Sequence, residues 1–168
     1  MAMTQVPDNP AYTLPPTGPA GPTSANPVYT ACDPANGNYF TATGRDLVTF
    51  YLNDETSAPA WLVAGSYGVG QVVSVTGPAF YVALLASSGQ NPTGGAPYWA
   101  GYTGSSVNIA SAPDQCAGRI SNVVGYDVPL GAGSVEFLVM PSSVFTQAGG
   151  QVQFLASSNL VSVYVRSL

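Results

Sequence analysis

The chain reads as an all-β protein: an antiparallel jelly-roll or sandwich, interrupted by a small β-rich insertion and preceded by an extended Pro-rich N-terminal arm. Three observations predict this. Short runs rich in Val, Phe and Tyr recur between Gly, Pro, Asn and Asp turn signals. Several of these runs alternate apolar and polar residues with a period of two. No window of about eleven residues or more carries the apolar stripe of an amphipathic helix, so crossover helices are not expected and consecutive strands pair or swap sheets.

Taken in order, the arm comes first, over residues 1–29. Seven of the fifteen prolines fall at or before Pro27, a density that forbids helix and favours an extended, polyproline-like course with few internal hydrogen bonds. Tyr12, Leu14, Val28 and Tyr29 give it apolar anchors, so we expect it to be ordered only when docked on a partner surface. The body follows over 30–56 and 104–168. Its strands are expected at DLVTFYL (46–52), SVNIA (106–110), ISNVVGYDV (120–128), SVEFLVM (134–140), QVQFLA (151–156) and LVSVYVR (160–166). In the last, Val161, Val163 and Val165 share one face and Ser162, Tyr164 and Arg166 the other, as in a sheet with one buried side. SVEFLVM sends Val135, Phe137 and Val139 inward by the same rule, and QVQFLA sends Val152 and Phe154 inward. Between the body segments, 57–103 forms an insertion with its own strands at QVVSV (71–75) and FYVALL (80–85). Because the insertion is expected to begin and end near adjacent strand ends, a short Gly-Ser turn should replace it without loss of the fold.

Composition excludes several functions. Charged residues make up 7% of the chain, against roughly 25% in an ordinary soluble domain; solubility therefore rests on uncharged polar groups and a net charge of −5. The only cations are Arg45, Arg119 and Arg166, too few to neutralise a phosphate backbone, so nucleic acid is not an expected partner. An anionic membrane surface is excluded for the same reason, and no stretch is long and apolar enough for a membrane span or a standard secretory signal. With no histidine and no lysine, a Ser or Cys nucleophile lacks its usual activating base. A glycosidase-like carboxylate pair drawn from Asp46, Asp114, Asp127 and Glu136 has no spacing that singles it out. The chain is read as not an enzyme, with no cofactor and no metal.

Cys32 and Cys116 bracket the insertion, 84 positions apart. A disulfide between them would clamp its entry and exit and contribute about 4–5 kcal/mol in the chain-entropy model; the other reading is two buried free thiols. DPANGN (33–38) suits a type I′ turn around Asn36-Gly37 better than a calcium loop. GSYGVG (65–70) lacks the lysine of a phosphate loop and precedes a strand, so it reads as a turn.

The insertion holds both tryptophans, Trp61 and Trp99, and among its other aromatics Tyr67, Phe80, Tyr81 and Tyr98. Aromatic rings stack on the apolar face of a pyranose while neighbouring Ser88, Gln90 and Asn91 offer hydrogen bonds to its hydroxyls. The order of Trp61, Tyr67, Gly70, Val73, Tyr81, Pro92 and Trp99 resembles the small chitin-binding carbohydrate-binding modules found at the ends of chitinases and grafted into phage fibre proteins. Gln71 stands where those modules usually carry an acid. The resemblance implies a glycan-binding site drawn from Trp61, Tyr67, Tyr81, Asn91, Tyr98 and Trp99. It also implies that at least one of Tyr67, Tyr98 and Trp99 presents its ring to solvent.

With the insertion set aside, the remainder is similar to small phage head decoration or cement proteins of jelly-roll type. The turn Ala35 to Gly37, the strand entry Thr43 to Asp46, the loop Ala112 to Arg119 and the closing stretch Ala156 to Val165 follow in that family's order. This implies a structural virion protein on the capsid exterior, synthesised in the host cytoplasm, that decorates or cements a tailed-phage head. Its partners would be the major capsid protein and neighbouring copies of itself in a homo-oligomer, a trimer among the candidates, with cell-surface polysaccharide as the ligand of the insertion. Arg45, Asp46, Arg119 and Asp127 are the candidate ion-pairing residues. A tail-fibre or receptor-binding protein attaching to host glycans is the alternative.

Overall fold

A computed structural model describes residues 2–8, 28–43, 46–76, 79–110, 126–130, 133–139, 145–147 and 149–167, with the backbone alone at 126 and 133–139. Ahead of the insertion run β1 (Thr4–Gln5), β2 (Thr30–Ala31), β3 (Asn38–Thr41) and β4 (Asp46–Leu52). Within it lie β5 (Ser66–Tyr67), β6 (Val72–Val75), β7 (Ala79–Ala83), β8 (Ser87–Ser88) and β9 (Trp99–Gly101). After it come β10 (Ser105–Ile109), β11 (Tyr126–Leu130), β12 (Gly133–Val139), β13 (Gln151–Ala156) and β14 (Val161–Ser167). Among the described residues the protein is all-β, its only helical pieces being two three-residue 3-10 turns at Glu55–Ser57 and Pro92–Gly94.

Two sheets form the body, one in the order β1-β3-β13-β10-β11 and the other β12-β4-β14-β2. All pairings are antiparallel except β1 on β3. The period-two pattern fixes which face turns inward. Val152 and Phe154 of β13 meet Val161, Val163 and Val165 of β14 and Val48 and Phe50 of β4 in one buried cluster with Phe40, Val107 and Ile109. Phe50 and Phe154 cross edge to face with centroids 5.2 Å apart, the arrangement their ring quadrupoles favour. Each such side chain contributes about 1.5–3 kcal/mol by leaving water. Ser162, on the outward face of β14, is nevertheless buried; the Asn53 side chain donates to its hydroxyl at 2.9 Å, and Tyr51 is its register partner on β4. The inward facing of Val135, Phe137 and Val139 concerns side chains outside the described residues, as do segments 120–125 and residue 140.

Residues 2–8 do not wait for a partner. Thr4 and Val6 donate their N–H groups to the carbonyls of Gly37 and Tyr39, and Val6, 1% exposed, belongs to the main core. Asp8 then accepts from the N–H and hydroxyl of Ser167. At the other end of the arm, Thr30 and Ala31 pair with Val163 and Ser162, and the Tyr29 ring leans on Tyr51 and Tyr164 at 5.7 and 5.8 Å. The expectation that the arm orders only on a foreign surface is therefore corrected for residues 2–8, whose backbone is met by the body's own sheet edge. Tyr12 and Leu14 lie outside the described residues.

The 33–37 turn also differs from expectation. Asp33 accepts from the N–H groups of Ala35 and Asn36 and from the Asn36 amide, and its own carbonyl accepts from Gly37 N. Only Gly37 adopts positive φ, at 81°, so this is an Asp-capped turn and not type I′, which needs two left-handed residues. Those hydrogen bonds, the Asn36 side chain foremost, hold the Asp33 carboxyl below its usual value.

Candidate functional site

The insertion leaves the body after β4 and returns at β10, and it folds into the three-stranded sheet β6-β7-β9 with the short pair β5-β8 beside it. The strands expected at 71–75 and 80–85 are β6 and β7, paired from Val72↔Val82 to Val75↔Ala79. Its turn at GSYGVG closes by Gln71 N–H donating to the Gly68 carbonyl, while Gln71 Oε1 accepts from Gly68 N at 3.1 Å. An amide oxygen thus does what a carboxylate oxygen would do at this position, without the charge.

The insertion has a core of its own. Tyr67, Val73, Ala83 and Trp99 are buried together, with Trp61, Tyr81 and Tyr98 packed around them. Tyr67 and Trp99 meet edge to face at 5.3 Å. Both carry a polar handle that has to be satisfied on burial: the Tyr67 hydroxyl accepts from Leu62 N and donates to Leu62 O, and Trp99 Nε1 donates to the Gln90 carbonyl at 3.0 Å. With 8% and 1% exposure, neither ring offers a face to a pyranose, so Tyr67 and Trp99 leave the set of stacking candidates. A unit this small draws its core from its largest rings, here Tyr67 and Trp99.

A second cluster joins the insertion to the body. Ala58, Val72 and Leu160 are buried with Leu52, Phe80, Val82 and Tyr102 against them. Around it Asn159 Oδ1 accepts from Val72 N at 3.0 Å while Asn159 N donates to the Gly70 carbonyl. The hydroxyls of Tyr102, Ser105 and Ser158 form a chain at 2.7 and 2.6 Å. The junction is thus a packed, hydrogen-bonded wall. Asn159 lies 87 positions from Val72, a separation at which no sequence periodicity signals a contact.

Of the remaining candidates, Trp61 and Tyr81 are half-buried against the aromatic core and Asn91 is exposed. Asn91 Oδ1 accepts from Thr93 N and Oγ1, capping the 3-10 turn at Pro92–Gly94. Tyr98 is half-buried. Gln90, Asn91, Gly94, Gly95, Ala96, Pro97, Tyr98 and Trp99 line a cleft of about 160 Å³, in which the structure brings together Asn91, Tyr98 and Trp99 but not Trp61, Tyr67 or Tyr81. That volume is below the roughly 300–1,000 Å³ of sites that engulf a drug-sized ligand. The backbone from Gly94 to Pro97, a wall of the cleft, escaped sequence reasoning, although its Gly-Gly and Pro spelled an irregular loop.

Elsewhere, Cys32 is a free, buried thiol whose burial pushes its pKa up to about 12; Cys116 lies outside the described residues. Asp46, fully buried, accepts from Thr43 N and Oγ1, and Asp127 accepts from the Asn108 amide. Both acids are thus engaged locally by neutral donors; Arg45, Asp114, Arg119 and the Glu136 side chain are outside the described residues. No known protein family, curated protein or solved structure matches the chain.

Proposed function

We propose that the chain is a structural virion protein of jelly-roll type that decorates or cements a tailed-phage capsid and displays a glycan-binding insertion. The supporting observation is the division of the molecule: a nearly charge-poor two-sheet body, and a wall-mounted insertion with its own aromatic core and the Asn91–Tyr98 cleft. A sandwich stiffened by edge strands from its own N-terminal region suits a protein that lies flat on a lattice and bonds to the major capsid protein and to neighbouring copies. Tyr98 is the stacking ring of the glycan site, and Asn91 and Gln90 face the sugar hydroxyls.

Adding the purified full chain to particles that lack it, then imaging them by electron microscopy, tests this. Regular density over the head at repeated capsomer positions is the expected result. Density confined to the tail would replace the reading with that of a receptor-binding protein, and absence from the particle would overturn both.

A further inference from the structure

Residues 56–113 contain no Asp, Glu, Lys, Arg or His. The whole insertion, including every residue lining the cleft, is therefore free of ionic side chains, and the GSYGVG turn is closed by the neutral amide of Gln71. The nearest charges along the chain on the N-terminal side, Asp54 and Glu55, are both exposed and negative. Arg166 sits toward the far end of β14, where it pairs with Leu47, whereas the insertion contacts the start of that strand through Asn159 and Leu160. Six residues of strand separate Leu160 from Arg166, a distance of about 20 Å, twice the Debye length at 0.1 M salt.

The insertion also exposes apolar side chains. Leu62 and Val63 are 65% and 69% exposed, and Leu84 and Leu85 47% and 48%. The backbone of Val63 comes within 3.7 Å of the Cβ position of Gly89, the residue before the lining residue Gln90. Leu84 N–H donates to the carbonyl of the lining residue Tyr98. A contact surface of this kind gains from shedding water over apolar atoms and has no counter-ion to offer a charged ligand, which would lose hydration without compensation.

Building on the glycan-binding reading, we propose that the insertion selects electrically neutral polysaccharide and rejects both anionic and cationic forms of the same backbone. Among the described residues that line the site, polymers carrying carboxylates or phosphates find no cation, and they meet a net charge of −5 on the protein; polymers carrying free amines find no carboxylate among those same residues.

Retention of the full chain should be measured on chitin, on its carboxymethylated derivative and on its deacetylated derivative, each at 0.15 and 0.5 M NaCl. The expected result is retention on chitin that changes less than twofold with salt, and at least tenfold weaker retention on both charged derivatives at 0.5 M. Equal retention on either charged derivative at 0.5 M salt, or a tenfold loss on chitin as salt rises, would overturn the selectivity while leaving glycan binding in place. No retention on any of the three would overturn the glycan reading and the selectivity with it.

Discussion

Alanine at Gly70 should loosen the attachment of the insertion to the body. Gly70 has φ of 77°, a left-handed conformation that costs an L-residue about 1–2 kcal/mol. It also abuts the body: a Cβ there would collide with Pro34 Cβ and lie 2.7 Å from Pro34 Cγ and 3.3 Å from the Ser157 carbonyl. Backbone and proline ring cannot swing aside as a flexible side chain would, so overpacking adds about 1–3 kcal/mol. The sum, about 2–5 kcal/mol, is a large part of a typical domain's 5–15 kcal/mol. Urea unfolding followed by tryptophan fluorescence reads it as a shift in midpoint at constant slope. Gly68→Ala, in the same turn but with open space at its Cβ, is the control and should stay within about 0.5 kcal/mol of the parent. Pro34→Gly removes both colliding atoms, so Gly70→Ala should cost about 1–3 kcal/mol less in that background than alone. A cost below about 1 kcal/mol that is the same with and without Pro34 would refute the wedge between turn and body.

The remaining perturbations have definite outcomes. Replacing 57–103 by a Gly-Ser turn should lower stability by several kcal/mol, because it strips Ala58, Val72, Phe80, Val82 and Tyr102 from Leu160; an excised protein as stable as the parent in urea would show that the shared wall contributes nothing. Trp99→Ala should cost about 3–5 kcal/mol, whereas Tyr98→Ala, at a half-buried ring, should abolish retention on chitin with a smaller loss; a Tyr98→Ala protein retained like the parent removes Tyr98 from the site. Deleting residues 1–8 should destabilise the body by at least the roughly 1.5–3 kcal/mol of burying Val6, read as a lower melting temperature, and an unchanged transition would contradict the core role of Val6. Cys32 favours its protonated form in the fold, so the stability it contributes is fully present below the unfolded thiol value of 9.0 and is lost as pH rises toward about 12. Peptide mapping after alkylation at pH 8 should find Cys32 unlabelled until the protein is unfolded, and rapid native labelling would show that its burial is not maintained.

Much of the body was legible because half-buried strands advertise themselves by alternation. DLVTFYL and QVQFLA occupy β4 and β13 residue for residue, and β14 is displaced by one position from its expected bounds. The two-residue strands β1, β2, β5 and β8 were not legible: two residues carry no period, and β1 and β2 exist only through the edges that receive them while β5 and β8 exist only through each other. Within the insertion, composition pointed to aromatic rings but not to their accessibility. Whether Tyr67 or Trp99 packs inward is decided by hydrogen-bond partners at Leu62 and Gln90, and those partners are backbone atoms with no signature in the sequence. The attachment through Asn159 was hidden for a related reason, since a single amide in a Ser-Ser-Asn loop reads as an ordinary turn residue.

The placing of β1 and β2 bears on edge-to-edge pairing between copies of so uncharged a protein. Each is the outermost strand of its sheet, one on either side of the sandwich, and each is only two residues long. Pro7 follows the first directly beyond Val6, and proline has no N–H with which to continue a ladder. A neighbouring chain approaching either border meets a stub too brief to template a further strand. Proteins with many lysines on their borders repel such partners electrostatically; this one has none to use and blunts these two margins by brevity, a safeguard that high salt does not weaken.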